Sequence, residues 1–434
     1  MSKKLLFITS LIIILFIIFV FSVKITENVN DAELMNDYTY QSENKGTKLI
    51  QKPAKKAIEY HRIIVNQWLI RLSLSFVIPL IFLTSGLSSG IRNWAFKRTS
   101  IVFFAFLIYF LIYSIITTAL ELPLNYYSTF TLKHIYGLSN QTFFKWTSDF
   151  LKSFIITTSA GSLFIYFVYM LMKRLPNSWW FYLGILMIPI LAFVTFISPM
   201  YIDPLFNKYQ KVQDVNLENK IHSELKRAGI ENCNVYEVYK SADTNEMNAY
   251  MTGVLNSKRI VIWDTTIKKL TDRETLCVLA HEMGHYVMNH IWKSIVLGGI
   301  LSIFIFYIVN KAAIFVINNS NFGFSQIHDT ASLPLLIILL NLFVFIITPA
   351  INSYSRYTEF EADRFELELT KDNEAAVSST IKLHQNSLIL PSPGVVYKLW
   401  NYDHPTFEER VKFANDYKPW EYGEPLKYEK YINK

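Results

Sequence analysis

Apolar and polar residues fall along this chain in long blocks. Seven apolar stretches, read at roughly 5–23, 65–86, 99–121, 152–172, 179–200, 295–317 and 333–352, each approach the ~20 residues a helix needs to cross a bilayer. They predict a mainly α integral membrane protein with about seven transmembrane helices. The first stretch follows Lys3 and Lys4. Its apolar run is too long for a secretory leader and no small-residue cleavage site follows, so it is expected to be a retained helix. Trp94, Tyr126, Tyr127, Trp179 and Trp180 sit near stretch ends, where interfacial aromatics are found.

The polar blocks organise the rest. Residues 24–64 read as a long charged first loop, and 122–150 as a second loop with a helical stretch around 141–150. The chain divides into a membrane part (1–200), a polar α+β part (201–294), two further spans (295–352) and a polar C-terminal part (353–434). Within 201–294 the pattern predicts a helix over 214–229 and a strand over 234–238. A hairpin follows, with arms 248–255 and 258–263 around Asn256 and Ser257. The next helix runs from about Asp272 to Trp292, capped by Thr271 or Asp272. After the last span, 355–390 is expected to be one helix ending at the Pro391–Gly394 loop, and another starts near Thr406. Two spans separate 201–294 from the tail, so both lie on one side of the membrane.

Candidate chemistry sits in the helix after the hairpin. His281, Glu282, Met283, Gly284 and His285 form an HExxH motif. His281 and His285 are four apart, so on a helix both imidazoles face one way and can hold one Zn²⁺. Glu282 points to a different part of that face and can serve as a base toward water at the metal. A solvated helix face is the plainer alternative. Against it, Leu276 to Ala280 and Tyr286 to Met288 are apolar, and polar groups in such a setting need partners. The extended motif with a third histidine would need Gly at 288 and His at 291; Met288 and Ile291 exclude it. His290 is expected to point off the metal face as an ordinary polar residue. The third ligand is sought at Glu359 and Asp363, again four apart. One carboxylate can bind the metal while the other accepts the N–H of a ligating imidazole.

Composition narrows the function. Charged residues are 18% against the ~25% of soluble domains, and mean hydropathy is +0.23, which fits a membrane protein. The net charge of +7 comes from Lys and Arg scattered beside apolar segments. Membrane lipids are therefore expected as partners, and nucleic acid is not. Basic residues flank both sides of the spans, so charge does not fix the sidedness. Cys233 and Cys277 offer no disulfide framework or zinc-ribbon spacing. A transporter would carry ionisable residues within its spans; Arg71, Glu121 and Lys152 lie only at or near span ends. An inactive membrane scaffold is the other non-enzyme reading, and the intact Glu282 argues against it.

Several pieces together resemble the type I CAAX prenyl endopeptidases, a family of integral-membrane zinc metallopeptidases. They are the 281–285 motif, Glu359 with Asp363, Asn248 and Tyr250 with Gly253, Arg259 with Asp264 and Thr265, and His404 and Pro405 with Arg410. Pro123 to Phe130 and Pro204 to Lys208 also fit. The resemblance spans about 120–415, and the number of spans favours this branch over the shorter heat-shock-type membrane proteases. It implies that His281, His285 and Glu359 bind one Zn²⁺, that Glu282 is the general base, and that Asp363 orients a ligating histidine. It implies further that Asn248 and Tyr250 contact substrate along an edge strand, and that His404 and Arg410 act near the scissile carbonyl. The implied architecture is a barrel-like chamber of seven helices with a zincin-like α+β catalytic domain, built from 201–294 and the tail 353–434, on the cytoplasmic side. The implied substrate is a peptide or protein with a prenylated C-terminus, cut to release its last three residues. A quality-control peptidase without a prenyl requirement would use the same catalytic residues.

Overall fold

The computed structural model describes residues 3–34, 38–42, 46–50, 52–254 and 257–432. The predicted turn residue Asn256 lies outside them. Seven described helices are long and apolar enough to span a membrane, one for each apolar block. In chain order the membrane part comprises α1 (Lys3–Leu34), the hairpin β1 (Tyr38–Ser42) and β2 (Gly46–Ile50), α2 (Lys55–Thr84), α3 (Val102–Tyr126), α4 (Phe143–Arg174) and α5 (Trp179–Tyr201). The catalytic part follows with β3 (Tyr209–Lys211), α6 (Val215–Arg227), β4 (Asn234–Val238), β5 (Ala249–Thr252), β6 (Arg259–Trp263) and α7 (Asp272–Val287). Then come α8 (His290–Asn318), α9 (Leu333–Thr370), α10 (Asn373–Asn386), α11 (Val395–Asn401) and α12 (Phe407–Asp416).

The spans close on themselves. α2 packs on α3, α3 on α4, α4 on α5, α5 on α8, α8 on α9, and α9 returns to α2. α1 lies against the seam between α2 and α9, where Phe19 meets Trp68 and Phe345 edge-on. Phe7, Phe104 and Phe304 remain exposed on this ring, an apolar surface that a bilayer covers. Its interior core includes Tyr109, Tyr169 and Trp179. Their polar atoms are satisfied by Ser88, Ser332 and Asn310, as burial requires.

The predicted loops are shorter than the polar pattern suggested. α1 continues to Leu34 because its buried Glu27 and Asp31 find partners on α2. Glu27 lies 2.9 Å from His61, and Asp31 accepts from Arg62 at 2.5 Å. Most of 122–150 is also helical: α3 runs on through a π-helical turn at Tyr127–Thr131, and α4 begins at Phe143. The helix expected over 355–390 divides differently. α9 is one 38-residue helix that carries the last span straight into the catalytic part, and Lys371 in the left-handed region separates it from α10. The change at 353 is thus one of environment, with no break in the chain.

The catalytic sheet has the order β3-β4-β6-β5. β4 and β6 are parallel and the other pairs antiparallel, leaving β5 at the edge. Ile260 and Ile262 from the sheet, Ile221 and Leu225 from α6, Leu279 and Met283 from α7 and Phe365 from α9 share one core. The turn after α3 is stitched to the loop before β5: Asn245 N–H donates to Leu138 (3.0 Å), Asn140 N–H to Asp243 (3.2 Å), and Lys133 pairs with Glu246 (2.8 Å). The loops after the first, third, fifth and seventh spans therefore meet on one side, as the count of spans predicts.

Candidate metal centre

Helix α7 starts at a capping box. The Thr271 hydroxyl accepts from Glu274 N–H, and the Glu274 carboxylate accepts from Thr271 N–H. Glu274 also takes Ser378 (2.6 Å) and Lys382 (2.7 Å) of α10, which sets the helix beside that neighbour. Burial pushes the Glu274 carboxyl up, but these donors more than reverse it and hold it at about 2. A depressed carboxylate contributes stability that is present above its unfolded value near 4.5 and is lost as pH falls toward 2. Glu274→Gln is expected to lower stability by about 1–3 kcal/mol at pH 7. The gap between the melting curves of variant and parent should close as pH falls through that window.

Gly284 lets α7 approach α9. A Cβ there would sit 3.1 Å from the Phe365 ring and 3.2 Å from the backbone of Ala362. Only a small residue fits without separating the helices, and that approach brings Glu359 to the histidines. Gly284→Val is expected to cost about 1–3 kcal/mol by overpacking and to abolish stoichiometric metal binding. Elemental analysis of the purified variant checks this.

Three donors converge. The Nε2 atoms of His281 and His285 lie 3.1 Å apart. Glu359 Oε2 is 3.2 Å from the first and Oε1 is 3.2 Å from the second. Glu359 Oε2 is buried without a hydrogen bond. Two facing imidazole nitrogens and an orphaned carboxylate oxygen form an arrangement that a cation satisfies. The spacings agree with the edge of a tetrahedron, about 3.3 Å, built on the ~2.0–2.1 Å Zn–N and Zn–O bonds. The residues present therefore fit the metal.

Around this triad, His281 Nδ1 faces Asp363 Oδ1 at 2.8 Å. Arg410 grips the same carboxylate, its Nε donating at 3.0 Å to Oδ2 and its Nη2 at 2.5 Å to Oδ1. Burial opposes the charge of Arg410, yet Asp363 beside it raises its pKa. Glu366, also buried, lies 3.9 Å from His281 Nδ1. That group of carboxylates already holds a guanidinium, so it is not a second cation site. His404, half exposed, directs Nε2 to Glu359 Oε2 at 3.4 Å and Nδ1 to Asp403 at 2.8 Å. Partial burial lowers the His404 pKa, but Asp403 and Glu359 outweigh it and raise the value.

The donors open onto a cleft of about 130 Å³ lined by Asn248, Ala249, His281, Glu282, His404 and Arg410. A larger cavity of about 500 Å³ adjoins it, sharing Asn248, Leu383, His404 and Arg410 and reaching Tyr60 and His61 on α2 and Tyr397 on α11. Asn248 enters β5 with its side-chain oxygen bonded to Ala249 N–H (2.8 Å).

Of the residues singled out from sequence, His281, Glu282, His285, Glu359, Asp363, Asn248, His404 and Arg410 come together here. Tyr250 does not. Within β5 successive residues face opposite ways, so with Ala249 on the cleft the Tyr250 hydroxyl meets Tyr209 at 3.2 Å on the other face, whereas Asn248 precedes the strand and lines the cleft from its end. His290 differs in the opposite sense. α7 ends at Val287, and Asn289 adopts φ 56°, a left-handed conformation that Asn tolerates. The chain turns there, and α8 begins with a buried His290 whose Nδ1 is 3.0 Å from His285 Nδ1. The predicted continuation to Trp292 is replaced by this turn. Ser379, Thr380 and Leu383 of α10 also line the cleft, and no sequence signal marked them.

Fold and site together define a multi-pass membrane metallopeptidase. Residues 211–418 match peptidase family M48, and residues 44–208 match the family described as CAAX prenyl protease N-terminal, five membrane helices. The chain belongs to family M48, in the branch that includes the CAAX prenyl proteases. It is 35% identical to the metalloprotease YhfN of Bacillus subtilis, covering 85% of this chain and 88% of that one. It is 28% identical to CAAX prenyl protease 1 of Saccharomyces cerevisiae over 70% of each chain. The crystal structure of S. mikatae Ste24p superposes with a TM-score of 0.71 at 25% identity, covering 83% of this chain and 88% of that one.

Proposed function

We propose that this metallopeptidase uses one Zn²⁺ held by His281, His285 and Glu359 to cut peptide bonds near the prenylated C-terminus of its substrates. The observation that carries the reading is the convergence of three donor atoms at 3.1–3.2 Å beside a half-buried Glu282. When bound, the metal supplies a Lewis acid that makes water more acidic and polarises a carbonyl. The remaining work falls to the chain itself. The edge of β5 with Asn248 holds the peptide extended by main-chain hydrogen bonds. Glu282 takes the proton of the attacking water and delivers it to the leaving amine. Asp363 fixes the orientation of His281 and is itself pinned by Arg410. His404 and Arg410 present donors on the cleft wall where the carbonyl oxygen gains charge.

The prenyl requirement is supported by the names of the relatives and by the adjoining cavity with its aromatic wall. The catalytic side is assigned to the cytoplasm on the likeness to the CAAX prenyl proteases, since basic residues flank both sides of the spans. The test is cleavage of one CaaX peptide, farnesylated and unfarnesylated, by the purified chain and its Glu282→Gln variant. Cutting of the farnesylated form alone, and only by the parent, is expected. Equal cutting of both forms would leave the peptidase chemistry standing and remove the prenyl requirement. Cutting by the variant would remove the role of Glu282.

A further inference from the structure

The two histidines of the metal centre are supported differently. His281 rests directly on the carboxylate of Asp363. Among the described residues no carboxylate meets the outer nitrogen of His285; it faces His290, whose Nε2 lies 3.4 Å from Glu361 Oε2. Glu361 in turn accepts from the Tyr428 hydroxyl at 2.9 Å and the Tyr357 hydroxyl at 3.3 Å. Tyr428 belongs to the C-terminal segment, which Glu368 ties to α9 by accepting from the backbone N–H groups of Lys427 (3.0 Å) and Tyr428 (2.7 Å). Glu368 and Tyr428 are both buried.

We propose that His290, backed by Glu361 and Tyr428, is a positioning residue that sets the ring orientation and donor nitrogen of His285, making the C-terminal tail part of the metal centre. The inference rests on the reading of His281, His285 and Glu359 as metal ligands. If His285 binds through Nε2, its proton resides on Nδ1, and that N–H needs an acceptor. His290 Nδ1 faces it and can accept only when the His290 proton is on Nε2. That tautomer puts a buried N–H, which makes no hydrogen bond here, 3.4 Å from the Glu361 carboxylate, the charge that favours a proton at that nitrogen. Each proton position follows from the one before, so a carboxylate two residues beyond Glu359 on α9 fixes the ligating nitrogen of a histidine on α7. Outer partners of ligating histidines set their tautomer and are worth roughly 10–100-fold in metal affinity. The relay also accounts for burying a histidine at the mouth of α8, where an apolar residue would pack without a partner.

The test is zinc affinity of the purified full-length chain in detergent, measured by competition with a chromophoric chelator. His290→Leu is expected to weaken binding by about 10–100-fold. His290→Asn, whose side-chain oxygen can accept from His285 while its amide faces Glu361, should recover most of that loss. Tyr428→Phe should show a smaller, several-fold weakening. Melting temperatures of the metal-free variants should match the parent. Unchanged affinity in His290→Leu, with the parent binding one zinc, would overturn the relay alone. So would equal losses in the Leu and Asn variants accompanied by a fall in metal-free melting temperature, which would reduce His290 to packing. A parent that binds no stoichiometric zinc would overturn the metal site itself, and the relay with it.

Discussion

Glu282→Gln is expected to lower turnover by roughly 10²–10⁴-fold, the range for loss of a positioned general base, while metal content stays at one per chain. The substitution keeps the size and shape of the side chain and removes only its capacity to take a proton. Glu282 lines the cleft with His281 and Asn248 and contributes none of the three converging donors. Metal binding and turnover should therefore separate in this variant. Elemental analysis beside single-turnover kinetics reads both. Appreciable turnover with the metal retained would mean that another cleft group moves the proton, and His404 lines the same cleft.

Glu359→Ala is expected to have the opposite signature. It removes the one carboxylate that faces both Nε2 atoms at 3.2 Å. Two imidazoles remain, and affinity should fall by more than the roughly 10–100-fold that an outer partner is worth. Metal content after dialysis against a chelator checks this; retention equal to the parent would sink the ligand assignment. Folding should largely survive. The truncation removes a buried carboxylate oxygen that makes no hydrogen bond, and the two imidazole nitrogens it faced remain 3.1 Å from each other.

Much of this was legible in the chain because it depends on spacing within single helices. The seven spans follow from block length, and each block became a helix. The two imidazoles follow from the four-residue interval on α7. Thr271 and Glu274 announce their own capping box. Glu359 and Asp363 share a face of α9 by the same interval, but which one meets the metal depends on how α7 crosses α9, and Gly284 decides that through a contact no spacing rule contains. His290 was misplaced because the helix was extended past Asn289; one left-handed residue redirected everything after it. Glu27 and Asp31 read as loop charges because their partners, His61 and Arg62, lie on another helix. Tyr250 is named only by likeness to a motif, and its hydroxyl turns to Tyr209, a partner from another strand that no local pattern supplies.

The continuity of α9 has a mechanical consequence. At 1.5 Å per residue, the distance from Leu333 to Glu359 is about 39 Å of unbroken helix. One end is a wall of the membrane ring and the other carries a candidate metal ligand. A rod of that length swinging by about 5° carries its far end about 3 Å, comparable with the whole spacing between the donors. Pro349 withdraws one backbone hydrogen bond along the way and gives the rod a place to flex. Spanning helices tilt to match the thickness of their bilayer, so a change of lipid thickness around the ring is expected to act on the chemistry as a lever acts on a latch. Turnover compared in nanodiscs of short- and long-chain lipid would read that leverage, with the metal content of each showing whether the latch itself had opened.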